Sequence, residues 1–183
     1  ADSAESQIDA PPPPPPLWPA ARWGHAACFL PETSHLVIFG GSSTSGCFSD
    51  VWAAKMSRKA DRWRAEWDLV MPEAAELATD GRSMHSVYAS MDGVEMMTRS
   101  LGCTPASPAP RAGHTMVRVE PGKLVVCGGN TGTSAFNDLW SLHLSPALSD
   151  CSSASDCGLS ARWTLLETTG MPPSPRGGHT AVK

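Results

Sequence analysis

One repeat of this chain reads, in order, Arg111-Ala112-Gly113-His114, Leu124-Val125-Val126-Cys127, Gly128-Gly129 and Asn137-Asp138-Leu139-Trp140. The same order occurs earlier as Arg22-Trp23-Gly24-His25, Leu36-Val37-Ile38-Phe39, Gly40-Gly41 and Ser49-Asp50-Val51-Trp52. His25 and His114 stand 89 residues apart, and Trp52 and Trp140 stand 88 apart. Several landmarks in one order and almost one spacing indicate a repeat protein.

The apolar runs of the two units are short, β-branched or aliphatic, and bounded by Gly, Pro and Ser, which is typical of strands rather than helices. A double glycine after an apolar run lets the backbone take positive φ or approach a neighbour closely. We therefore predict strands near 24–30, 35–39, 50–55 and 63–69 in the first unit, and near 113–119, 123–127, 138–144 and 162–167 in the second.

This pattern resembles the kelch repeat, in which each unit is one blade of four antiparallel strands in a β-propeller. The resemblance covers residues 17–183, with units near 22–70, 82–110 (degenerate), 111–167 and 176–183 (the start of the next unit). It implies an all-β fold and an incomplete propeller, since closed propellers have about four to eight blades. We therefore expect the chain to be either a fragment of a longer protein, whose further blades are candidate partners, or a gene product that has lost blades.

We interpret the residues that recur from unit to unit as structural, and we predict no catalytic, cofactor-binding or metal-binding residue. Its members are Arg22, Gly24, His25, Gly40, Gly41, Asp50, Trp52, Arg111, Gly113, His114, Gly128, Gly129, Asp138, Trp140, Trp163, Arg176, Gly178 and His179. Residues that recur once per blade usually link strands by buried hydrogen bonds. We expect Asp50 and Asp138 to bond either to turn amides or to the repeat arginines. Either Trp63 or Trp67 supplies the fourth-strand tryptophan of the first unit, as Trp163 does in the second.

Two metal-dependent alternatives exist among kelch-like propellers. A copper oxidase site needs histidines and tyrosines, but Tyr88 is the single tyrosine of the chain. An iron site like that of the plant specifier proteins needs Glu-x3-Asp-x3-His; Glu76 and Asp80 fit this spacing, whereas His85 is one residue too far. We therefore predict no cofactor and no enzymatic activity. The alternative is a fragment of a copper- or iron-dependent propeller enzyme whose key residues lie in missing blades.

The remaining composition narrows the classes of partner. The net charge of −4 and the scattered basic residues give no footprint for nucleic acid. No apolar run reaches the roughly 18 residues that span a bilayer, so we expect no membrane segment. No secretory signal is evident, which favours a cytoplasmic over an extracellular location. Residues 1–16 are acidic and then polyproline, and they are predicted to be a disordered spacer.

Six cysteines complete the inventory of reactive side chains. Cys28 and Cys127 lie in predicted strands and are expected in the core, whereas the other four lie in loops: Cys47, Cys103, Cys151 and Cys157. The last two would form a disulfide only in an oxidising compartment.

The predicted function is that of a protein-protein interaction module. Strand order places the loops after strands two and four at the same end of every blade, and loops on a rigid scaffold commonly carry binding. These loops are 42–49, 70–81, 130–136 and 168–175.

Overall fold

The computed structural model describes residues 18–72, 107–146 and 158–183. Their strands are β1 (Ala26–Leu30), β2 (His35–Phe39), β3 (Ser42–Ser43), β4 (Gly46–Cys47), β5 (Val51–Lys59), β6 (Arg62–Leu69), β7 (Met71–Pro72), β8 (Thr115–Glu120), β9 (Lys123–Asn130), β10 (Ala135–Pro146) and β11 (Leu159–Leu165). These segments contain no helix, and hence none that is long and apolar enough to cross a membrane. The predicted spacer 1–16 and most of the degenerate unit lie outside them.

The first blade is a four-stranded antiparallel sheet in the order β1-β2-β5-β6. Its third strand runs to Lys59, beyond the predicted end at residue 55, because Ala60 and Asp61 form a two-residue turn between β5 and β6. Both turn residues have positive φ, 47° and 60°, which matches the twist of a hairpin. The predicted all-β blade is confirmed.

The second blade has the order β8-β9-β10-β11, and β7 joins its outer edge in parallel to β11. Because β7 follows directly on the last strand of the first blade, the chain crosses from one blade to the outer edge of the next. The third strand, β10, begins at Ala135 rather than at residue 138, and its pairing with β9 is irregular between Phe136 and Leu139.

The two blades bury one core between them. Its buried members are Leu30, Val37, Phe39, Val51, Ala53 and Val70 from the first blade side, and Met116, Leu124, Val126, Trp140, Leu142, Leu144 and Ala161 from the second. The ring of Phe39 lies 4.8 Å from that of Trp163, between centroids. A fully buried side chain of this size contributes roughly 1.5–3 kcal/mol, so this shared core holds the blades together.

No described blade covers the opposite face of the first blade, although Trp52 and Ala54 on that face are buried. Alternation along a strand puts Val51 and Ala53 towards the shared core and Trp52 and Ala54 on the other face. That second face also carries Phe29 and Trp63, which are 48% and 65% exposed. The arc of two blades is not closed, which confirms the expectation of an incomplete propeller.

Candidate functional site

The repeat arginine of the first blade joins its double glycine to its third strand. The Arg22 guanidinium donates to the Gly40 carbonyl at 3.0 Å and forms a bidentate pair with the Asp50 carboxylate, whose second contact is 2.9 Å. The Trp52 indole NH donates to the same carboxylate at 2.7 Å. Of the two partners expected for Asp50, the structure therefore shows the arginine.

The second blade repeats this arrangement with a more deeply buried cation. Arg111 donates to Asp138 at 2.6 and 2.8 Å and to the Gly128 carbonyl at 2.9 Å, and its side chain is 1% exposed. Burial alone would raise the pKa of Asp138, but the hydrogen bonds from Arg111 and Trp140 hold it below its ordinary value. Because the two charged groups are hydrogen-bonded to each other, the ion pair stabilises the fold and offers no free base or nucleophile.

Arg111 and Arg176 also connect their units to the preceding one. The Gly41 amide donates to the Arg111 carbonyl at 2.9 Å, and the Gly129 amide donates to the Arg176 carbonyl at 2.9 Å. Closer to the start of the first strand of each unit, the Gly113 amide donates to the Gly24 carbonyl and the Gly178 amide donates to the Gly113 carbonyl, both at 2.8 Å. The units at 22, 111 and 176 are therefore consecutive neighbours in space.

The repeat histidines lie at these joints. His114 is buried, its ring centroid is 5.0 Å from that of Phe39, and neither ring nitrogen makes a hydrogen bond of good geometry. His179 differs, because its Nε2 lies 3.2 Å from the Thr115 hydroxyl. Ala26 occupies the position in the first unit that Thr115 occupies in the second, so His114 lacks that hydroxyl.

Burial, and then the nearby Arg111 guanidinium, lowers the pKa of His114 from 6.5 to about 4. The unfolded chain takes up a proton as the pH falls below 6.5, while the folded chain does not. We therefore expect the free energy of unfolding to fall by about 2 kcal/mol between pH 6.5 and pH 5. Urea titrations across this range measure it.

A His114→Gln variant provides the control for this pH dependence, since it cannot take up the proton. Burial also lowers the pKa of His35, so a smaller slope of the same sign should remain in the variant. Glu32 and Asp138, whose pKa values are lowered, lose their contributions only below about pH 4.5, outside the measured range. An unchanged slope in the variant would show that His114 is not the titrating group.

The histidines do not build a metal centre in the part of the chain that the structure describes, where no group of three or more His, Cys, Asp or Glu could hold an ion. The residues weighed for iron and copper, Glu76, Asp80, His85 and Tyr88, lie outside that part. The prediction that these four residues form no iron or copper site therefore stays a prediction.

Strand register resolves which tryptophan belongs to the fourth strand of the first unit. Trp67 pairs with Ala54 as Trp163 pairs with Leu142, two residues beyond Trp52 and Trp140 respectively. Trp67 is half-buried, whereas Trp63 is 65% exposed. Trp67 is therefore the equivalent of Trp163.

The cysteines expected in the core are only half-buried. Cys28 packs at the margin of the shared core, and Cys127 occupies the position equivalent to Phe39 on the open face of the second blade. Burial raises the pKa of the Cys127 thiol, which disfavours the reactive thiolate. Cys103, Cys151 and Cys157 lie outside the described residues.

Three of the predicted binding loops lie side by side at the end of the blades where strand one begins, called here the upper end. The Cys47 thiol lies 3.8 Å from the Asn130 carbonyl, which joins loop 42–49 to loop 130–136. The Phe136 carbonyl accepts from the Arg176 amide at 3.0 Å, and the Asn137 side chain donates to the Pro173 carbonyl at 3.1 Å. These contacts place loop 168–175 next to loop 130–136.

An open cleft of about 530 Å³ lies beside this surface, lined by residues that include Asn137, Asp138, Leu139, Trp163, Leu166 and Pro172. In the second blade the Leu166 amide donates to the Leu139 carbonyl. In the first blade the Val70 amide donates to the Val51 carbonyl in the same way. Val51 and Val70 are buried where the second blade covers them. The cleft is therefore the place where a following blade would pack.

Comparison with known proteins agrees with this geometry. Residues 3–182 match the family model described as the KLHDC2/KLHL20/DRC7 Kelch-repeats domain. The chain is 30% identical over 199 residues to an Adagio-like protein 3 from Oryza sativa subsp. japonica, covering 90% of this chain and 28% of that protein. It is 28% identical over 203 residues to a Rab9 effector protein with kelch motifs from Danio rerio, covering 90% of this chain and 52% of that protein. It thus spans about half or less of the length of these relatives, and it belongs to the Kelch-repeat family.

Proposed function

We propose that this chain is a protein-interaction module that binds its partner with the upper-end loops 42–49, 130–136 and 168–175. The observation that carries the proposal is their hydrogen-bonded arrangement side by side on two rigid blades. Each loop that follows a second strand begins at a double glycine fixed to the next unit. Such anchoring limits the conformational entropy that is lost when a partner binds. The fourth predicted loop, 70–81, lies mostly outside the described residues.

The chemistry of this surface supports a partner recognised by hydrogen bonds and apolar contacts. The three loops contain no Asp, Glu, Lys or Arg, and they are rich in Ser and Thr. Trp23, which pairs with Ser42 through the backbone, is 58% exposed, and Met171 is 99% exposed. Exposed indoles are common anchors of protein interfaces. Because the loops are uncharged, affinity should depend only weakly on salt.

The relatives support a protein as partner rather than a small molecule. The name of the Danio rerio relative describes an effector of Rab9, and the matched Bos taurus protein carries the same name. No enzymatic activity is stated in these names. Purified Rab9 is therefore a defined first probe.

The binding test replaces Thr131, Thr133 and Ser134, which form the tip of loop 130–136, by glycine. If this loop contacts the partner, capture of Rab9, or of a partner recovered from a lysate, should fall at least about tenfold, as expected when a contact worth about 1.4 kcal/mol is lost. The matched control carries Gly-Gly in place of Ala60 and Asp61, in the turn between β5 and β6 at the lower end. Equal recovery by the two variants would place binding elsewhere.

A further inference from the structure

Three Ser-Pro pairs fall within the described residues, and they differ in accessibility. Ser145 lies in strand β10, half-buried and hydrogen-bonded to Ser160. Ser107 is exposed, but the proline that follows it is fully buried. Ser174 is exposed together with Pro175, in a segment without regular secondary structure. An enzyme that reads serine and proline together can reach only this third pair.

The Ser174 hydroxyl also faces a cation. The Arg176 guanidinium donates to the Ser174 hydroxyl at 2.8 Å and to its carbonyl at 2.9 Å. In the two complete units the corresponding position is Ala20 or Ala109, and the same guanidinium nitrogen donates to a third-strand aspartate at 2.9 or 2.8 Å. Within the described residues no ion pair to a carboxylate is recorded for Arg176, and its guanidinium already faces the Ser174 hydroxyl that would carry the phosphate.

We propose that Ser174 is a phosphorylation site for a proline-directed protein kinase and that Arg176 binds the phosphate. The serine oxygen attacks the γ-phosphorus of ATP, the bond to ADP breaks, and the hydroxyl proton passes to the base of the kinase. The product carries about −1.5 to −2 charges beside a guanidinium, which favours charge-assisted hydrogen bonds. Ser174 belongs to the upper-end loop 168–175, but its modification can be tested without the partner of that surface.

Phosphorylation would change the contacts of Arg176 with the third strand of the next unit. In the units that begin at Arg22 and Arg111, the guanidinium holds the third strand of its own blade through aspartate. A phosphate on Ser174 competes for the same nitrogen of Arg176, because a guanidinium offers a limited set of planar donors. The modified residue would therefore act on the attachment of the third strand within the unit that starts at Arg176.

The site itself is tested by incubating the chain with a purified proline-directed kinase and ATP, followed by mass spectrometry of its peptides. Phosphate should accumulate on Ser174 at least tenfold faster than on Ser107 or Ser145. Pro175→Ala should abolish the modification while leaving Ser174 in place. Absence of phosphate from Ser174, or equal rates at the three serines, would overturn the proposal.

The role of Arg176 is tested by phosphorus NMR titration of the modified chain. Contact with the guanidinium should lower the second pKa of the phosphoserine by about half a unit relative to an Arg176→Gln variant phosphorylated in the same way. Arg176→Lys should restore only part of this shift, since an ammonium does not form a bidentate contact. Identical titrations of the parent chain and Arg176→Gln would exclude Arg176 as the phosphate receptor.

Discussion

Replacing Arg111 by methionine is expected to reduce the free energy of unfolding by about 3 kcal/mol, as for other buried pairs that lose one partner. The change removes both contacts to Asp138 and the bond to the Gly128 carbonyl, and it leaves a half-buried carboxylate without its cation. Arg111 also stacks on Phe136, with 4.3 Å between the guanidinium carbon and the ring centroid. Urea unfolding followed by tryptophan fluorescence measures the loss, because the Trp140 indole NH donates a hydrogen bond to the Asp138 carboxylate.

Arg176→Met is the matched control, since it changes the same repeat position in a unit whose third strand is not among the described residues. Its guanidinium is exposed and contacts only Ser174 there, so the loss should stay below about 0.5 kcal/mol. Arg22→Met should approach the Arg111 value, because Arg22 keeps the same set of partners. If all three variants lose equal stability, the carboxylate pair is not the source of the effect.

Much of the fold could be predicted because the repeat marks the ends of strands. The double glycine takes positive φ in both units: it follows the end of β2 in the first, whereas β9 of the second continues through it to Asn130, beyond the predicted end at residue 127. Asp-x-Trp follows at the next strand. Together these landmarks predicted sheets of four antiparallel strands, which the structure confirms for both complete units. The open arc followed from counting units.

Contacts between units could not be predicted, because spacing along a chain does not say which unit a side chain touches. The attachment of Arg111 to Gly41 of the preceding unit is visible only in space. The same holds for β7, whose two residues cross to the other blade. Trp63 and Trp67 are four residues apart and share one face of a strand, so alternation alone could not choose between them.

The full length of β5 could not be predicted, for a different reason. A two-residue hairpin turn of type I′ needs positive φ at both positions, and Asn-Gly or Asp-Gly is its usual signal. Here Ala60 and Asp61 adopt that conformation, with φ of 47° and 60°. Since alanine rarely takes positive φ, the sequence carried no sign that β5 and β6 would pair up to this turn.

Gly40→Ala is expected to cost about 3 kcal/mol of stability, from backbone strain and overpacking together. Gly40 has a φ of +62°, in the left-handed region that alanine adopts only with strain. A Cβ there would lie 2.6 Å from the Arg111 carbonyl oxygen and 2.9 Å from His114 Cε1. The first of these neighbours is backbone that also accepts a hydrogen bond from Gly41, so it cannot move without loosening the joint between the blades.

Gly132→Ala separates the two contributions to this loss. Gly132 also has positive φ, +93°, but nothing lies within 4 Å of its Cβ position, so only the backbone cost of about 1 kcal/mol should appear. The excess in Gly40→Ala then measures the contact between units. Gly128→Ala should fall between them, because its nearest neighbour, the Arg176 carbonyl oxygen, is 2.9 Å away and belongs to an exposed segment. Equal losses at Gly40 and Gly132 would mean that the double glycine serves only the turn, and that its close approach to the Arg111 carbonyl adds nothing to the stability of the joint between the blades.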